Sequence, residues 1–186
     1  MGEGATVATI AGVLASAAAS LGDSSQTPRL DAEVLLSHVL GVDRARLVLD
    51  HQAELEGEAG AHFEELLTRR RDGEPVAYLV GHRGFRALDL KVDPRVLIPR
   101  PETEGLVEAA VELLPDGASV LAVGTGSGAI ALALAAERPD LRVRGVDIGA
   151  GAIAVAERNA ADLNLGVSFT VADLLDGTSQ ADAVVA

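Results

Sequence analysis

A buried strand that runs into a glycine-rich turn and then into a helix constrains the fold of this chain more than any other feature. The apolar residues 120–123 are typical of a strand in a parallel sheet, which is covered on both faces. Gly124, Gly126 and Gly128 follow at alternate positions, and glycine lets a backbone turn sharply and approach a ligand closely. The alanine-rich run 129–136 favours a helix whose N-terminus faces the turn. The pattern therefore predicts an α/β fold with a ligand site at the turn.

A carboxylate at the end of the next strand indicates the class of ligand. The apolar run 143–146 ends in Asp147. A carboxylate about twenty residues beyond a glycine turn has the spacing at which such sites hold a ribose. We therefore expect a nucleoside-containing cofactor, bound by Asp147 and by the glycine turn, whose two other members are Thr125 and Ser127. Together with Ala129, the first two glycines also fit the pattern of dinucleotide-binding folds, so a dinucleotide-dependent oxidoreductase is one alternative.

Two features favour S-adenosylmethionine (SAM) over a dinucleotide. Gly128 opens the turn into a broad loop, which suits a cofactor without phosphates whose methionine and ribose portions pack against the backbone. The third strand ends in Asp173, whose carboxylate can accept a hydrogen bond from an adenine amino group. Aspartate at the end of a strand is also a common turn former, so both Asp147 and Asp173 have a purely structural alternative.

The spacing of apolar residues divides the chain into a helical part and an α/β part. Apolar intervals of three and four predict helices throughout residues 5–72, and Phe63, Leu66 and Leu67 mark the buried stripe of the last one. Arg69, Arg70 and Arg71 end that helix, where cations interact favourably with the helix dipole. The first helix is expected to bury Val7, Ile10, Leu14 and Leu21. The four helices are expected near 5–21, 29–40, 43–50 and 57–71.

The remainder of the chain predicts a connector and a sheet. Alternation in 85–92 indicates a small β-hairpin within a connector at 73–97, and a helix is expected over 101–114. From residue 118 onward strands and helices alternate, which is typical of a parallel sheet packed against helices. We thus expect a helical bundle domain at 1–72, the hairpin connector at 73–97 and a Rossmann-like domain at 98–186. Its strands are predicted at 119–123, 142–147, 167–172 and 181–186, and its helices near 129–137 and 150–163.

Composition excludes several functions. A net charge of −13 disfavours direct nucleic-acid binding. The chain has no cysteine, so disulfides, thiolate metal sites and a cysteine nucleophile are excluded, and its four histidines lack metal-ligand spacing, so we expect no metal site. The apolar stretch 7–21 has no basic flank and is too short to span a bilayer, which predicts a cytoplasmic protein without a membrane partner. Oligomeric state is not predicted.

Several motifs resemble one known family. Residues 124–130 read Gly-Thr-Gly-Ser-Gly-Ala-Ile, and residues 98–104 read Ile-Pro-Arg-Pro-Glu-Thr-Glu. Residues 69–81 read Arg-Arg-Arg-Asp-Gly-Glu-Pro-Val-Ala-Tyr-Leu-Val-Gly, and this motif matches at every position except Val80. Further matches are Leu-Asp-Ala-Glu-Val-Leu-Leu at 30–36 and Glu-Arg-Asn-Ala at 157–160. Together these segments are similar to the bacterial release-factor glutamine methyltransferases, the HemK family. The two proline-containing motifs are more specific than the glycine loop.

The resemblance implies an activity and a set of cofactor contacts. Such enzymes transfer the SAM methyl group to the side-chain amide nitrogen of glutamine in a Gly-Gly-Gln motif of peptide-chain release factors, and their helical domain helps to grip that protein substrate. Carried over by position, Gly124 to Gly128 and Asp147 bind SAM, while Asp173 and Leu174 lie along the adenine. Many members have an aromatic residue where this chain has Leu174, so ring stacking is replaced by aliphatic packing.

Two departures from the family pattern qualify this expectation. The family reads Asp-Leu-Gly where this chain reads Ala122-Val123-Gly124. Loss of a charge-assisted hydrogen bond costs about 1.5–3 kcal/mol, so we predict weak SAM binding. In the family the fourth strand leads into Asn-Pro-Pro-Tyr, which holds the substrate glutamine, and here the fourth strand is the last segment. We therefore expect a truncated chain with no catalytic residue of its own, an uncovered edge strand and no activity alone.

Other functions stay open on the sequence alone. A chain that lacks the substrate motif and the expected carboxylate at Ala122 also fits a module that binds SAM or a partner without catalysis. A methyltransferase for a different substrate is a further alternative, because the glycine loop does not specify the acceptor.

Overall fold

The computed structural model describes residues 9–55, 57–176 and 180–186. Contacts within the chain divide it into two compact units, of which one ends at Val80 and the other begins at Gly81. Each unit has a hydrophobic core of its own.

The described residues of the unit that ends at Val80 are mainly helical, and they contain one helix more than the sequence predicts. The four predicted helices are present, and the extra helix, α5, is a short one within the stretch that we expected to be connector. Pro75 directly precedes this helix, and proline suits the start of a helix. The helices are α1 (Ile10–Ser20), α2 (Pro28–Leu40), α3 (Arg44–Leu49), α4 (Gly57–Arg71) and α5 (Val76–Val80).

Local signals set the ends of these helices. The Thr9 side chain accepts a hydrogen bond from the Gly12 amide at 3.2 Å and so caps α1. Pro28 occupies the first turn of α2, and Gly41 ends that helix with a φ of 63°, a conformation that glycine adopts without strain. The core that these helices enclose is built from long side chains, including Leu14, Leu35 and Phe63. Val7 lies outside the described residues.

Two of the three arginines at the end of α4 make individual ion pairs. Arg69 pairs with Glu74 at 2.7 Å, and Arg70 pairs with Asp31 of α2 at 2.8 Å. The Arg70 and Asp31 side chains are only 16% and 11% exposed, so this pair is mostly removed from water. The sequence predicted only that these arginines interact with the helix dipole. In the structure, two of the three guanidinium groups are also held by specific carboxylates.

The unit that begins at Gly81 opens with the predicted hairpin. Its strands are β1 (His82–Phe85) and β2 (Leu88–Lys91), paired antiparallel with Phe85 opposite Leu88. Arg86 in the turn has a φ of 51°. Its guanidinium bonds the Glu137 carboxylate and also contacts Glu108, and these hydrogen bonds raise the pKa of Arg86. The hairpin turn is thus anchored to two helices of the same unit.

The remaining elements of this unit match the predicted order. A short 3₁₀ helix (Pro101–Thr103) precedes the first α-helix, where the sequence predicted one continuous helix over 101–114. The elements are α6 (Glu104–Leu113), β3 (Ser119–Val123), α7 (Ala129–Glu137), β4 (Arg142–Asp147), α8 (Ala150–Asp162), β5 (Ser168–Val171) and β6 (Ala183–Val185).

The four later strands form the predicted parallel sheet. Their spatial order is β5-β4-β3-β6, and all three pairings are parallel. The chain moves from β3 through β4 to β5 in one direction and then returns to the opposite side of β3 with β6. Strand order therefore reverses between β3 and β6. In open α/β sheets, ligands bind in the crevice at the carboxyl ends of strands beside such a reversal.

Candidate functional site

The glycine loop lies at the carboxyl end of β3, beside the reversal of strand order. Gly124, Gly126 and Gly128 have φ angles of 64°, 54° and 84°, a region that other residues rarely adopt. The predicted sharp turn is confirmed, and all three glycines are needed for it. Gly128 is also the residue that caps the start of α7.

Hydrogen bonds close the loop and join it to the next strand. The Gly128 amide donates to the Thr125 carbonyl at 2.8 Å, which makes a tight turn. The Thr125 amide donates to the carbonyl of Val146 in β4 at 2.9 Å. The backbone of the loop is thus held in one conformation by the sheet beside it.

Asp147 lies beside the loop, at the end of β4, where the sequence predicted a ribose-binding carboxylate. One oxygen accepts a hydrogen bond from the Gly126 amide at 2.9 Å, and the other accepts from the Gly149 amide at 2.9 Å. Each carboxylate oxygen has a second lone pair, so Asp147 retains acceptor capacity for a ligand hydroxyl. Half-buried and fixed by two backbone amides, the side chain is oriented before any ligand arrives.

Close packing beneath the loop leaves no room for additional atoms. A Cβ at Gly145 of β4 would lie 2.5 Å from the Phe169 ring and 2.7 Å from Thr125 Oγ1. At Gly128 a Cβ would lie 2.9 Å from Leu132 and 3.1 Å from Phe169. The Phe169 ring therefore fills the space between the loop and β4, and the loop rests on it.

The buried hydroxyl of Thr125 in the loop has no hydrogen-bond partner among the described residues. Thr125 and Ser127 are 7% and 2% exposed. Thr125 Oγ1 has no hydrogen-bond partner among residues 9–55, 57–176 and 180–186. An unpaired buried hydroxyl is destabilising, and in native proteins it often marks a place that a water or ligand completes.

A cavity of about 450 Å³ opens beside the loop. One wall is the glycine loop and the start of α7, and the other is the proline-containing segment before α6. Arg100 and Glu102 bring opposite charges to this second wall. The sequence singled out residues 98–104 as a motif without assigning them a place in the site. The lining residues are Leu97, Ile98, Pro99, Arg100, Glu102, Thr103, Leu106, Gly124, Thr125, Gly126, Ser127, Ala129, Ile130 and Ala186.

Asp173 and Leu174 lie at the same edge of the sheet but outside the lining of this cavity. The amide of Ala172 donates to the Asp147 carbonyl at 3.0 Å, so the segment after β5 is tied to the end of β4. Both Asp173 and Leu174 are exposed, and Leu174 has a φ of 52°. Ile148, 71% exposed, follows Asp147 at this edge. The structure therefore places the predicted adenine residues next to the predicted ribose residue, away from the cavity.

Asn159 is a part of the loop's support that the sequence missed. It lies on α8 and is 1% exposed. Its amide bonds both the Ser127 carbonyl of the loop and the backbone of Lys91 in the hairpin. Two sequence signals pointed to it: Asn159 lies in the family-like segment 157–160, and an asparagine in the interior of a predicted helix is unfavourable unless the side chain has a specific partner.

Ala122 occupies the position where the family pattern has aspartate. It is 1% exposed in β3 and lies between Gly145 of β4 and Val185 of β6 in the sheet register. The residue is thus a buried member of the apolar core.

Metal-binding clusters and membrane-spanning helices are both absent from the described parts of the chain. No group of three or more His, Cys, Asp or Glu side chains there is arranged to hold a metal ion. None of the helices described is long and apolar enough to cross a membrane.

In comparisons with known proteins, the two parts of the chain match two different family models. Residues 12–81 match the family model described as "PrmC N-terminal domain", and residues 103–186 match the model described as "Methyltransferase small domain". The first match covers the helical unit. The second contains the glycine loop, Asp147 and the segment after β5.

Three curated relatives carry the same name, "Release factor glutamine methyltransferase". The protein from Koribacter versatilis is 48% identical over 151 residues, which is 80% of this chain and 54% of that protein. The Escherichia coli K12 protein is 50% identical over 141 residues, 75% of this chain and 51% of that protein. The Vibrio cholerae protein is 49% identical over 158 residues, 83% of this chain and 55% of that protein. The chain thus spans about half the length of the curated relatives it matches.

Proposed function

We propose that this chain, which belongs to the family of the release factor glutamine methyltransferases, binds SAM at the carboxyl edge of its sheet and thereby serves methylation of a release-factor glutamine. One observation carries the proposal: a glycine loop with three positive φ angles opens onto a cavity beside the reversal of strand order. Such a loop lets a cofactor approach the backbone closely.

The ribose of SAM is assigned to Asp147. Its carboxylate is already oriented by the amides of Gly126 and Gly149, and each oxygen keeps a free lone pair for a ribose hydroxyl. The loop residues Gly124 to Gly128 then pack against the ribose and the methionine portion. A cofactor without phosphates suits this loop, because the helix that follows has no basic residue near its start.

The adenine is assigned to the segment after β5. Asp173 is proposed to accept a hydrogen bond from the adenine amino group, and Leu174 is proposed to supply an apolar surface for the ring; both side chains are exposed. Leu174 holds a strained positive φ, and strain of this kind is concentrated at sites where a ligand is clamped.

The amino-acid end of SAM is assigned to the cavity between the loop and residues 97–106. Arg100 supplies a cation for the α-carboxylate, and Glu102 supplies an anion for the α-ammonium group. The buried Thr125 hydroxyl, which lacks a partner within the described ranges, lies on the same wall. When bound, SAM supplies an electrophilic methyl group on sulfur, and these residues would orient it.

The acceptor is proposed to be the glutamine amide of a release factor. An amide nitrogen is a poor nucleophile, so its N–H groups need acceptors that hold it in line with the methyl group. We assign no described residue to that task. Inactivity of the 186-residue polypeptide alone stays a prediction, and transfer of labelled methyl from SAM to a release factor by this polypeptide would contradict it.

The helical unit is proposed to contact the release factor. A cavity of about 320 Å³ lies among α1, α2 and α3 and is lined mainly by apolar residues, including Leu14 and Leu47. At its rim Val48 is 70% exposed, and neighbouring Leu49 is 73% exposed. Exposed apolar residues in such a cluster suit a protein surface. Val48→Asp is expected to weaken binding of a release factor, measured by calorimetry, without changing SAM affinity.

A titration distinguishes the proposed cofactor from the dinucleotide alternative. Addition of SAM is expected to raise the melting temperature of the chain, because a ligand that binds only the folded state stabilises it. Addition of NAD at the same concentration is expected to leave it unchanged. Stabilisation by NAD alone would favour the oxidoreductase and contradict the proposal.

The affinity for SAM is expected to be weak because Ala122 replaces a carboxylate. Ala122→Asp is expected to tighten binding by about tenfold or more if it restores a charge-assisted hydrogen bond. Ala118→Asp is the matched control, since Ala118 is also buried in the core. That control is expected to lose stability without tightening SAM binding. Micromolar or tighter affinity of the unaltered chain in calorimetry would contradict the prediction of weak binding.

A further inference from the structure

Asn159 is a polar side chain on a helix face that is otherwise apolar. Its neighbours on the buried face of α8 include Ile153, Ala156 and Ala160, and Asn159 itself is 1% exposed. Burial of an amide is unfavourable unless its hydrogen bonds are made. Its position therefore requires specific partners rather than general packing.

Three hydrogen bonds satisfy the Asn159 amide. Its Oδ1 accepts from the Lys91 amide at 2.8 Å, and its Nδ2 donates to the Lys91 carbonyl at 3.0 Å. The second N–H of the same Nδ2 donates to the Ser127 carbonyl at 2.9 Å. Both donors of an asparagine are thereby used. No carboxylate and no apolar side chain of the same size reproduces this set.

The Ser127 carbonyl belongs to the peptide unit that forms the tight turn of the loop. The amide of the same unit is that of Gly128, which donates to the Thr125 carbonyl. Since the peptide is planar and trans, fixing its carbonyl also fixes the direction of its amide. Asn159 therefore sets the orientation of this peptide unit.

Two side chains thus hold the loop backbone, one as a hydrogen-bond acceptor and the other as a donor. Asp147 accepts the Gly126 amide, and Asn159 donates to the Ser127 carbonyl. The second of these contacts also reaches the hairpin, since Asn159 bonds both backbone groups of Lys91. A change at this amide is consequently felt by the loop and the hairpin together.

We propose that Asn159 is a positioning residue for the cofactor loop, which locks the Ser127–Gly128 peptide in the conformation that SAM requires. The proposal rests on the proposed binding of SAM to this loop. It goes beyond it by assigning a contribution to affinity to a residue that makes no contact with the cavity. A purely structural residue would contribute to stability alone.

The test compares Asn159→Leu and Asn159→Asp with Ala160→Gly in the full chain. The leucine variant removes all three hydrogen bonds at similar volume, and the aspartate variant retains only acceptance from the Lys91 amide. Ala160→Gly weakens the same helix next to the amide but leaves its bonds intact. The affinity for SAM, the melting temperature and the NMR amide signals of Gly126 and Gly128 are measured for each.

Both Asn159 variants are expected to weaken SAM binding by about tenfold or more and to shift the Gly126 and Gly128 signals. Ala160→Gly is expected to lower the melting temperature without changing affinity or these signals. Unchanged affinity in a folded Asn159 variant, with unmoved glycine signals, would overturn the proposal. If the unaltered chain itself does not bind SAM, the proposed function fails, and the glycine signals still report whether Asn159 positions the loop.

Hydrogen exchange in the unaltered chain gives a second test that does not depend on a variant folding. One opening of the Asn159 contact frees the Lys91 amide and loosens the turn that protects the Gly128 amide. These two amides are therefore expected to exchange with the same opening free energy. Clearly different values would overturn the proposed link.

Discussion

The helical unit that ends at Val80 and the α/β unit that begins at Gly81 fill their cores with side chains of different size. In the helical unit the buried residues are mostly long, such as Leu35, Leu36 and Phe63. In the α/β unit many are alanines, such as Ala122, Ala131 and Ala156. Small residues let backbone segments approach closely, whereas long ones fill the space between helices. Substitutions that shorten a buried side chain should therefore destabilise the helical unit most, and substitutions that enlarge one should destabilise the α/β unit most.

The buried polar groups differ in the same way. In the helical unit the Arg70–Asp31 pair joins two helices by their side chains. In the α/β unit Asn159 and Asp147 bond the backbone of a loop. The polar side chains removed from water thus join helices in the helical unit, whereas in the α/β unit they fix the backbone of the glycine loop.

The largest effect is expected from breaking the buried ion pair. Among the described residues, Arg70→Met leaves the Asp31 carboxylate with the hydroxyls of Ser25 and Thr27 as its side-chain donors. The free energy of unfolding in urea is expected to fall by about 2–3 kcal/mol, because a mostly buried charge loses its partner. SAM affinity is expected to stay the same.

The control for this variant is Arg29→Met. Arg29 pairs with Glu33, but its side chain is 55% exposed, so the loss is expected to be below about 1 kcal/mol. Equal losses for the two variants would show that burial of the pair does not matter, and would contradict the comparison.

An added methyl group tests the tight packing of the α/β unit. In Gly145→Ala the new Cβ meets the Phe169 ring at 2.5 Å, so either the ring or the strand must move. A loss of about 2 kcal/mol in unfolding free energy is expected, together with weaker SAM binding, since Phe169 also supports Gly128. Denaturant unfolding and an NMR titration with SAM measure the two effects.

The matched variant in the helical unit is Gly60→Ala. Nothing lies within 4 Å of a Cβ at Gly60, which is inside α4. Alanine is favoured in a helix, so a gain of about 0.5–1 kcal/mol is expected. If both substitutions were tolerated equally, the proposed difference in packing would be wrong.

The smallest effect is expected from Leu174→Gly, which should raise stability and weaken SAM binding. Leu174→Gly relieves a φ of 52°, and a gain of about 0.5–1 kcal/mol in unfolding free energy is expected. Loss of the apolar surface proposed for the adenine should weaken SAM binding by about threefold to tenfold.

Asn164→Gly is the control for this substitution. Asn164 has a similar φ of 54°, but asparagine tolerates this region, so a change within about 0.5 kcal/mol is expected. Unchanged SAM affinity in Leu174→Gly would remove Leu174 from the proposed site.

The sequence by itself determined the longer elements and their order, because those depend on local patterns, but it missed α5 and the short 3₁₀ helix. The strand–glycine–helix run predicted β3, the loop and α7, and the alternation of strands and helices predicted a parallel sheet. The proline-containing motifs within 69–81 and 98–104, together with the glycine loop at 124–130, indicated the resemblance to the family.

Only the tertiary structure decided which distant groups meet. Asn159 and Lys91 are 68 residues apart, and Arg86 and Glu137 are 51 apart, so no local pattern relates them. The cavity beside the loop forms only because residues 97–106 lie next to it. Asp173 and Leu174 lie away from that cavity because they follow β5, which is on the far side of β4 from the loop strand β3. Periodicity reports which face of an element is buried, but a hydrogen bond or a cavity forms only where two particular segments come together in space.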